Sequence, residues 1–212
     1  MKFKWWGHSC FLIESDNKKI ITDPYDDSLP YKKVDDSADL VTVSHDHFDH
    51  NAVERLEGDF EVVKNKEGYQ DGDLEIKAIP SYHDKNEGED RGENLIFTID
   101  FGDKKVCHMG DIGHPLGEKE FSELEDIDIL LIPVGGYYTI NADEAFEIAE
   151  KIDPEFIIPM HYKTDILDFP ITGVEDFIHK FDHDVIEIKD GPEVDINEVD
   201  DDKKVIVLNY VH

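Results

Sequence analysis

The chain has 212 residues, of which 39% are hydrophobic, 10% aromatic and 34% charged, a composition that excludes a disordered chain. The formal net charge is −31, which disfavours nucleic acid and anionic membranes as partners. No apolar run of about 18 residues occurs, so a membrane span is excluded. The apolar start is interrupted at Gly7 and closed by Glu14, which argues against a signal peptide. We therefore predict one cytoplasmic domain covering residues 1–212.

Short apolar or alternating runs recur along the chain and predict strands. They lie at residues 3–6, 10–13, 19–22, 40–44, 60–63, 74–79, 95–101, 105–109, 127–132, 156–160, 185–188 and 205–210. Turn signals separate many of these runs, among them Asp16-Asn17, Asp71-Gly72-Asp73 and Gly102-Asp103. Since the early strands are linked as hairpins without crossover helices, the pattern argues against a parallel doubly wound fold.

Helices are fewer. Asn141 and Glu144 form a capping box before apolar residues at helical spacing, and the predicted helix stops at Asp153-Pro154. A third predicted helix lies around residues 174–180. Strands that outnumber the helices, with helices in both halves, indicate an α/β layered sandwich.

The second predicted helix runs over residues 51–58. Asn51 is its expected N-cap, Glu54 is the capping-box partner and Gly58 ends it. This helix would follow directly after the segment of the chain that is richest in histidine.

That segment is Ser44-His45-Asp46-His47-Phe48-Asp49-His50-Asn51, placed directly after an apolar strand. A solvated polar loop gives no reason for three imidazoles and a carboxylate so close together. Imidazole and carboxylate suit zinc, iron or manganese, and neighbouring pairs on a turning loop can reach two ions. The two cysteines lie in no CxxC pattern, which excludes a thiolate zinc site and a disulfide framework.

Three further residues occupy the same kind of position. His83, Asp111 and His161 each follow the C-terminal end of a predicted strand. Strand ends and their loops form the usual crevice for ligands in layered α/β proteins, so we expect these residues to converge with the histidine-rich loop.

Together these residues resemble the metallo-β-lactamase fold superfamily. The signature HxHxDH is formed by His45, His47, Asp49 and His50, followed in order by His83, the pair Gly110-Asp111 and His161. Residues 7–11, 110–114, 133–139 and 158–162 look like the small bacterial and archaeal metal-dependent hydrolases of that fold, in the branch similar to ascorbate-phosphate lactonase.

The resemblance implies a four-layer αββα sandwich of two mainly antiparallel or mixed sheets, with a dinuclear site at their edge. It implies that one metal is held by His45, His47 and His83. It places the second metal on Asp49, His50 and His161, with Asp111 as the bridge. Zinc is the expected metal, and manganese and iron stay open.

Two such ions share a water and lower its pKa to about 7, which supplies a bridging hydroxide as the nucleophile. Asp49 would orient that water and accept its proton, which makes it the predicted catalytic residue. The predicted substrate is a small ester, lactone or phosphate-containing molecule. A phosphodiesterase or nuclease of the same fold is the alternative, as is a metal-binding sensor or redox module without turnover.

Other residues carry weaker signals. His8, Tyr138 and Thr139 are candidates for contacting substrate, although a structural histidine and a tight glycine turn explain them as well. His114 is open between the same two roles. We expect His108, His179, His183 and His212 to be structural or on the surface. Assembly as a homo-oligomer is left open.

Overall fold

A computed structural model describes residues 1–15 and 18–212. The turn predicted at Asp16-Asn17 lies outside the described residues. The strands are β1 (Lys2–Gly7), β2 (Cys10–Ser15), β3 (Lys18–Thr22), β4 (Leu40–Thr42), β5 (Glu61–Val63), β6 (Tyr69–Asp71), β7 (Leu74–Tyr82), β8 (Glu93–Asp100), β9 (Lys105–His108), β10 (Ile129–Pro133), β11 (Phe156–Met160), β12 (Ile186–Ile188), β13 (Glu193–Asp195) and β14 (Val205–Val207). The α-helices are α1 (Glu118–Glu123), α2 (Ala142–Ile152) and α3 (Glu175–Ile178).

The strands form two mixed sheets. One has the order β13-β1-β2-β3-β4-β5, antiparallel from β13 to β3 and parallel from β3 to β5. The other has the order β12-β14-β11-β10-β9-β8-β7-β6, parallel from β12 to β9 and antiparallel from β9 to β6. The predicted α/β sandwich with mixed sheets is confirmed.

Burial explains the pattern of the strands. Every residue of β10 and β11 is buried, as expected of central parallel strands covered on both faces. The helix α2 contacts β10 and buries Ala145, Ile148 and Ala149. Within the described residues, no helix is long and apolar enough to cross a membrane.

Contacts between the two sheets join them into one core close to the histidine-rich loop. The ring of Trp5 in β1 packs 5.1 Å from the ring of Tyr162, which follows β11. The amide of Leu95 in β8 donates to the carbonyl of Ser44 at 2.9 Å. The ends of strands from both sheets are thereby held side by side.

All the predicted strands that lie within the described residues are present, with shifted ends. The sequence did not predict β6 and β13, which are short, largely polar strands at the sheet edges. They carry no apolar pattern and form through backbone pairing with β7 and β1. The sequence also missed α1, which buries none of its residues and therefore carries no apolar stripe.

The helix predicted over residues 51–58 is wrong. The structure has only a short 3-10 segment, Val53–Arg55, whose N-cap is Ala52 without a side-chain cap. The Asn51 side chain instead donates to Asp46 in the histidine-rich loop. The helix around residues 174–180 is confirmed as the shorter α3.

The capping box of α2 is formed as predicted. Asn141 Oδ1 accepts from the amides of Asp143 and Glu144, and the Glu144 carboxylate accepts from the Asn141 amide. We expect Asn141→Ala to lower the free energy of unfolding by about 1 kcal/mol, because two helix amides lose their acceptor. Urea denaturation measures this loss. Glu147→Ala, on the exposed face of the same helix, is the control, and equal effects of both changes would contradict the capping role.

Candidate metal centre

Histidine and aspartate side chains meet where strands of both sheets end. His45 and His47 lie in the loop after β4, His83 directly follows β7, and His161 directly follows β11. Asp111 lies three residues beyond the end of β9. The convergence expected from strand ends is therefore found in the structure.

The first cluster consists of His45, His47 and His83. One nitrogen from each ring lies within 4.8 Å of the others. The rings of His45 and His83 are 4.8 Å apart between centroids, and those of His45 and His47 are 4.5 Å apart. These are the three residues that the sequence grouped around one ion.

The second cluster consists of His8, His50, Asp111 and His161, all buried, again with one ligand atom each within 4.8 Å. Asp111 Oδ2 lies 3.0 Å from His161 Nε2 and 3.3 Å from His50 Nε2. The same oxygen lies 3.3 Å from His83 Nε2, which belongs to the first cluster. Asp111, a member of the second cluster, thus also contacts the first.

Asp49 lies beside the second cluster. Its Oδ2 atom is 3.3 Å from His8 Nε2 and 4.0 Å from His50 Nε2. Burial raises the pKa of Asp49, but His8 and His50 outweigh burial and hold that pKa well below its usual value. Asp49 is therefore an ionised carboxylate at the edge of the cluster.

His8 is more central than the sequence indicated. It lies in the turn between β1 and β2 with a φ of 55°, and its carbonyl accepts from the His161 amide at 3.1 Å. The His8 and His161 rings are 4.0 Å apart between centroids. Burial and the neighbouring His161 lower the pKa of His8 to about 4, so this imidazole is neutral at pH 7.

Asp23, directly after β3, supports the site and was missed in the sequence. Its Oδ1 atom accepts from the Ser44 amide at 2.8 Å, and Oδ2 accepts from the Ser44 hydroxyl at 2.5 Å. Because that hydroxyl proton points to Asp23, the 2.9 Å contact between Ser44 Oγ and His45 Nδ1 assigns the ring proton to Nδ1. In the sequence, the only feature that could have indicated this role was the position of Asp23 at the end of a predicted strand.

His50 is fixed by the same carboxylate. Its Nδ1 atom lies 2.9 Å from Asp23 Oδ2 and donates to it. Burial lowers the pKa of His50, yet Asp111, Asp23 and Asp49 outweigh it and raise that pKa well above its ordinary value. The carboxylates that favour a proton on Nε2 favour a metal cation there for the same reason.

Asp111 is positioned through its backbone. Its amide donates to Asn94 Oδ1 at 2.9 Å, and the Asn94 amide group donates to Ser81 Oγ and to the Met109 carbonyl. The preceding Gly110 has a φ of 56°, and a Cβ there would lie 2.3 Å from Asn94 Oδ1. Only glycine fits this turn.

The other candidates fall into two groups. Tyr138 packs against Phe169 at 5.8 Å between ring centroids, and Phe169 packs against His8 at 5.9 Å, so Tyr138 lies near the second cluster. Thr139 is buried and its hydroxyl donates to the Ile140 carbonyl, and a contact of Thr139 with substrate stays a prediction.

Two further histidines have structural contacts. His114 Nε2 accepts from the Tyr82 amide at 3.2 Å, just before His83. His108 Nε2 donates to the Ser9 carbonyl at 2.9 Å, which links the two sheets, in line with its expected structural role.

The residues fit metal ions. His45 Nε2 and His50 Nε2 are buried and have no hydrogen-bond partner among the described residues. Since the His45 ring carries its proton on Nδ1 and its pKa is held well below the ordinary value by burial, it presents a lone pair on Nε2, the atom that ligates a metal. A buried nitrogen without a partner is costly, and a metal ion satisfies it.

Two mixed sheets with histidine and aspartate clusters at their strand ends define a metal-dependent hydrolase of the metallo-β-lactamase fold. A family model described as a β-lactamase superfamily domain matches residues 2–161, and the chain belongs to this superfamily.

Relatives agree with that assignment. A UPF0173 metal-dependent hydrolase of Natranaerobius thermophilus is 32% identical over 77% of this chain and 84% of its own. Another from Archaeoglobus fulgidus is 28% identical over 93% of this chain and 100% of its own. A Thermotoga maritima crystal structure, named as a Zn-dependent hydrolase of the metallo-β-lactamase superfamily, has 38% identity and a TM-score of 0.83, covering 98% of this chain and 97% of that one. The narrower resemblance to the branch of ascorbate-phosphate lactonase stays a prediction.

The crowding at Gly110 can be separated from its backbone conformation. Gly72 has a φ of 59°, close to that of Gly110, but no atom lies within 4 Å of a Cβ placed there. A left-handed conformation costs about 1–2 kcal/mol for a residue with a Cβ. Gly72→Ala should therefore lower the free energy of unfolding by about that amount. Gly110→Ala should lower the free energy of unfolding by at least about 1 kcal/mol more than Gly72→Ala does, because its Cβ would also be overpacked against Asn94 and Ser44. Thermal unfolding of both variants measures the difference, and equal losses would contradict the crowding.

Proposed function

We propose that this protein is a dinuclear hydrolase that acts on a small ester, lactone or phosphate-containing molecule. The observation that carries the proposal is the position of Asp111 Oδ2, within 3.3 Å of ring nitrogens from both histidine clusters. A carboxylate in that position suits a ligand shared by two ions.

The residues divide into two ligand sets. His45, His47 and His83 would hold one ion, and His50 and His161 would hold the other together with Asp49. Asp111 would contact both ions. Imidazole and carboxylate donors favour zinc, while manganese and iron are accepted by the same set.

Two bound ions would lower the pKa of a shared water to about 7 and stabilise negative charge on the substrate. Asp49 would orient the attacking water and accept its proton, a role supported by its position at the edge of the ligand set. His8, neutral and 3.3 Å from Asp49 Oδ2, would hold that carboxylate in place and face the substrate.

A small-molecule substrate agrees best with the charge of the chain. A nuclease of the same fold would have to bind a polyanion, and a net charge of −31 repels one. We propose that nucleic acid is not the substrate and that Tyr138 lies on the substrate side of the site through its contact with Phe169.

We expect Asp111→Ala to remove metal from both positions, because this carboxylate would touch both ions. The affinity for metal should fall by more than about 10- to 100-fold, which is the loss typical when a residue that only hydrogen-bonds to a ligand is removed. Metal analysis by mass spectrometry on protein purified without chelator measures the stoichiometry. His179→Ala, a change on the exposed end of α3, should keep the wild-type metal content. A stoichiometry near two in Asp111→Ala would exclude the bridging role.

A second change separates catalysis from metal binding. Asp49→Asn keeps an oxygen of similar size but removes the negative charge that accepts the proton. Turnover should fall by about 100- to 10,000-fold while at least one ion stays bound. The rate is measured on a generic lactone or phosphodiester, with metal content determined on the same sample. A small loss of rate with an unchanged pH profile would show that Asp49 is only a ligand.

A further inference from the structure

An open groove of about 610 Å³ lies beside the first histidine cluster. His45 and His47 form part of its wall, so a molecule that reaches the cluster can extend into the groove. Most of the remaining wall comes from two short segments, residues 64–67 and residues 91–93. This groove is the space next to the proposed metal centre where substrate groups remote from the reacting bond can lie.

The topology brings these segments together. Residues 64–67 follow β5, whose parallel pairing with β4 places them at the same end of the sheet as the histidine-rich loop. Residues 91–93 lead into β8, and β8 is tied to that loop by the hydrogen bond from Leu95 to Ser44. Both sheets therefore contribute residues to the wall of one groove.

The groove contains basic residues that are not neutralised. Lysines and arginines elsewhere in this acidic chain mostly form ion pairs, as Arg55 does with Asp27. Lys64 and Arg91 form no ion pair with any carboxylate of residues 1–15 and 18–212. Lys66, also in the groove, is paired with Glu93 at 3.9 Å.

Arg91 is held firmly at this position. The Asp84 carboxylate accepts from four backbone amides of its own loop, those of Asn86, Gly88, Asp90 and Arg91. The Arg91 guanidinium lies 5.6 Å from the centre of the Tyr138 ring. Arg91 lines the same groove as His45 and His47 of the first cluster.

The charge of the whole chain makes this placement informative. A net charge of −31 opposes the approach of an anion, so an anion that reaches the first histidine cluster needs cations there that are not already paired. The acidic residues of the groove are Asp46, Glu67 and Glu93. Asp46 accepts from Asn51 and Glu93 is paired with Lys66, and none of these three described carboxylates forms an ion pair with Arg91 or Lys64. Arg91 and Lys64 therefore keep donors for an incoming group.

We propose that this groove binds an anionic oxygen group of the substrate, a phosphate or a carboxylate, with Arg91 as its main contact and Lys64 as the second. Arg91 supplies a planar fork of donors that matches either anion, and Lys64 adds a point charge. The anion would lie apart from the bond that is cleaved at the metal centre. This inference rests on the proposed function in one respect, that the anion belongs to a molecule cleaved at the metal centre. Binding of the anion itself can be measured without turnover.

Binding measurements on the metal-containing protein test the proposal with three probes of similar size: glycerol, glycerate and glycerol 1-phosphate. Isothermal titration should detect at least one of the two anions and no binding of glycerol. The stronger of the two anions identifies the group. Arg91→Gln should weaken binding of that anion by about 10-fold or more, and Arg91→Lys by less, because charge is kept while the fork is lost.

Lys119→Gln is the matched control, since it also removes one cation without an ion pair among the described residues but lies on α1, outside the groove. It should keep the wild-type affinity. Lys64→Gln is a second test in the groove and decides the matter if Arg91→Gln fails to fold. Equal anion affinity in wild type and in a folded groove variant would overturn the proposal, as would failure of both anions to bind.

The test stands apart from that of the proposed function. Arg91→Gln should keep the wild-type metal content, because Arg91 is not in either cluster. An unchanged anion affinity together with full metal content would refute the groove and leave the hydrolase proposal intact. A wild-type protein that holds no metal would refute the dinuclear proposal whatever the anion affinity.

Discussion

The contact on which the site depends is the buried carboxylate of Asp111 among three imidazoles. His50, His83 and His161 each place Nε2 within 3.3 Å of the same oxygen, although they come from three separate parts of the chain. Burial raises the pKa of Asp111, and the adjacent His161 and His50 outweigh it and hold that pKa well below its ordinary value. A buried charge is tolerated only with such partners, so the folded core and the site are built together.

A second layer of polar residues fixes the geometry of the first. Asp23 assigns the protons of His45 and His50 to Nδ1 and so turns both Nε2 atoms toward the centre. Asn94 and the left-handed Gly110 set the backbone that carries Asp111. These hydrogen bonds orient the candidate ligand atoms at the strand ends, an arrangement that favours metal binding.

Charge is distributed unevenly around this centre. The surface is strongly acidic, yet the groove next to the first cluster holds Lys64 and Arg91 without carboxylate partners among the described residues. An acidic exterior disfavours large polyanions over the range of the Debye length, while the two cations would act on a bound anion at contact distance. The proposed small anionic substrate is compatible with this distribution of charge.

Local sequence was sufficient for the strands of the core, for α2 and for the histidine-rich motif. Apolar periodicity, the Asn141 capping box and the spacing of His45, His47, Asp49 and His50 are properties of neighbouring residues. The same local logic failed at residues 51–58, where Asn51 bonds to Asp46 instead of capping a helix. Polar edge strands such as β6 and β13 were also missed, since they form only because a neighbouring strand offers free backbone groups.

Only the tertiary structure decided how distant residues combine. It brought His8 next to His161, placed Asp23 behind His45 and His50, and set Arg91 and Lys64 in the wall of one groove. None of these pairings leaves a periodic or motif signal, because each joins residues far apart in sequence through the packing of two sheets. Sequence thus determined which chemical groups were available at the strand ends, and the packing of the sheets determined which of them meet, since contact between remote residues is a property of the whole fold.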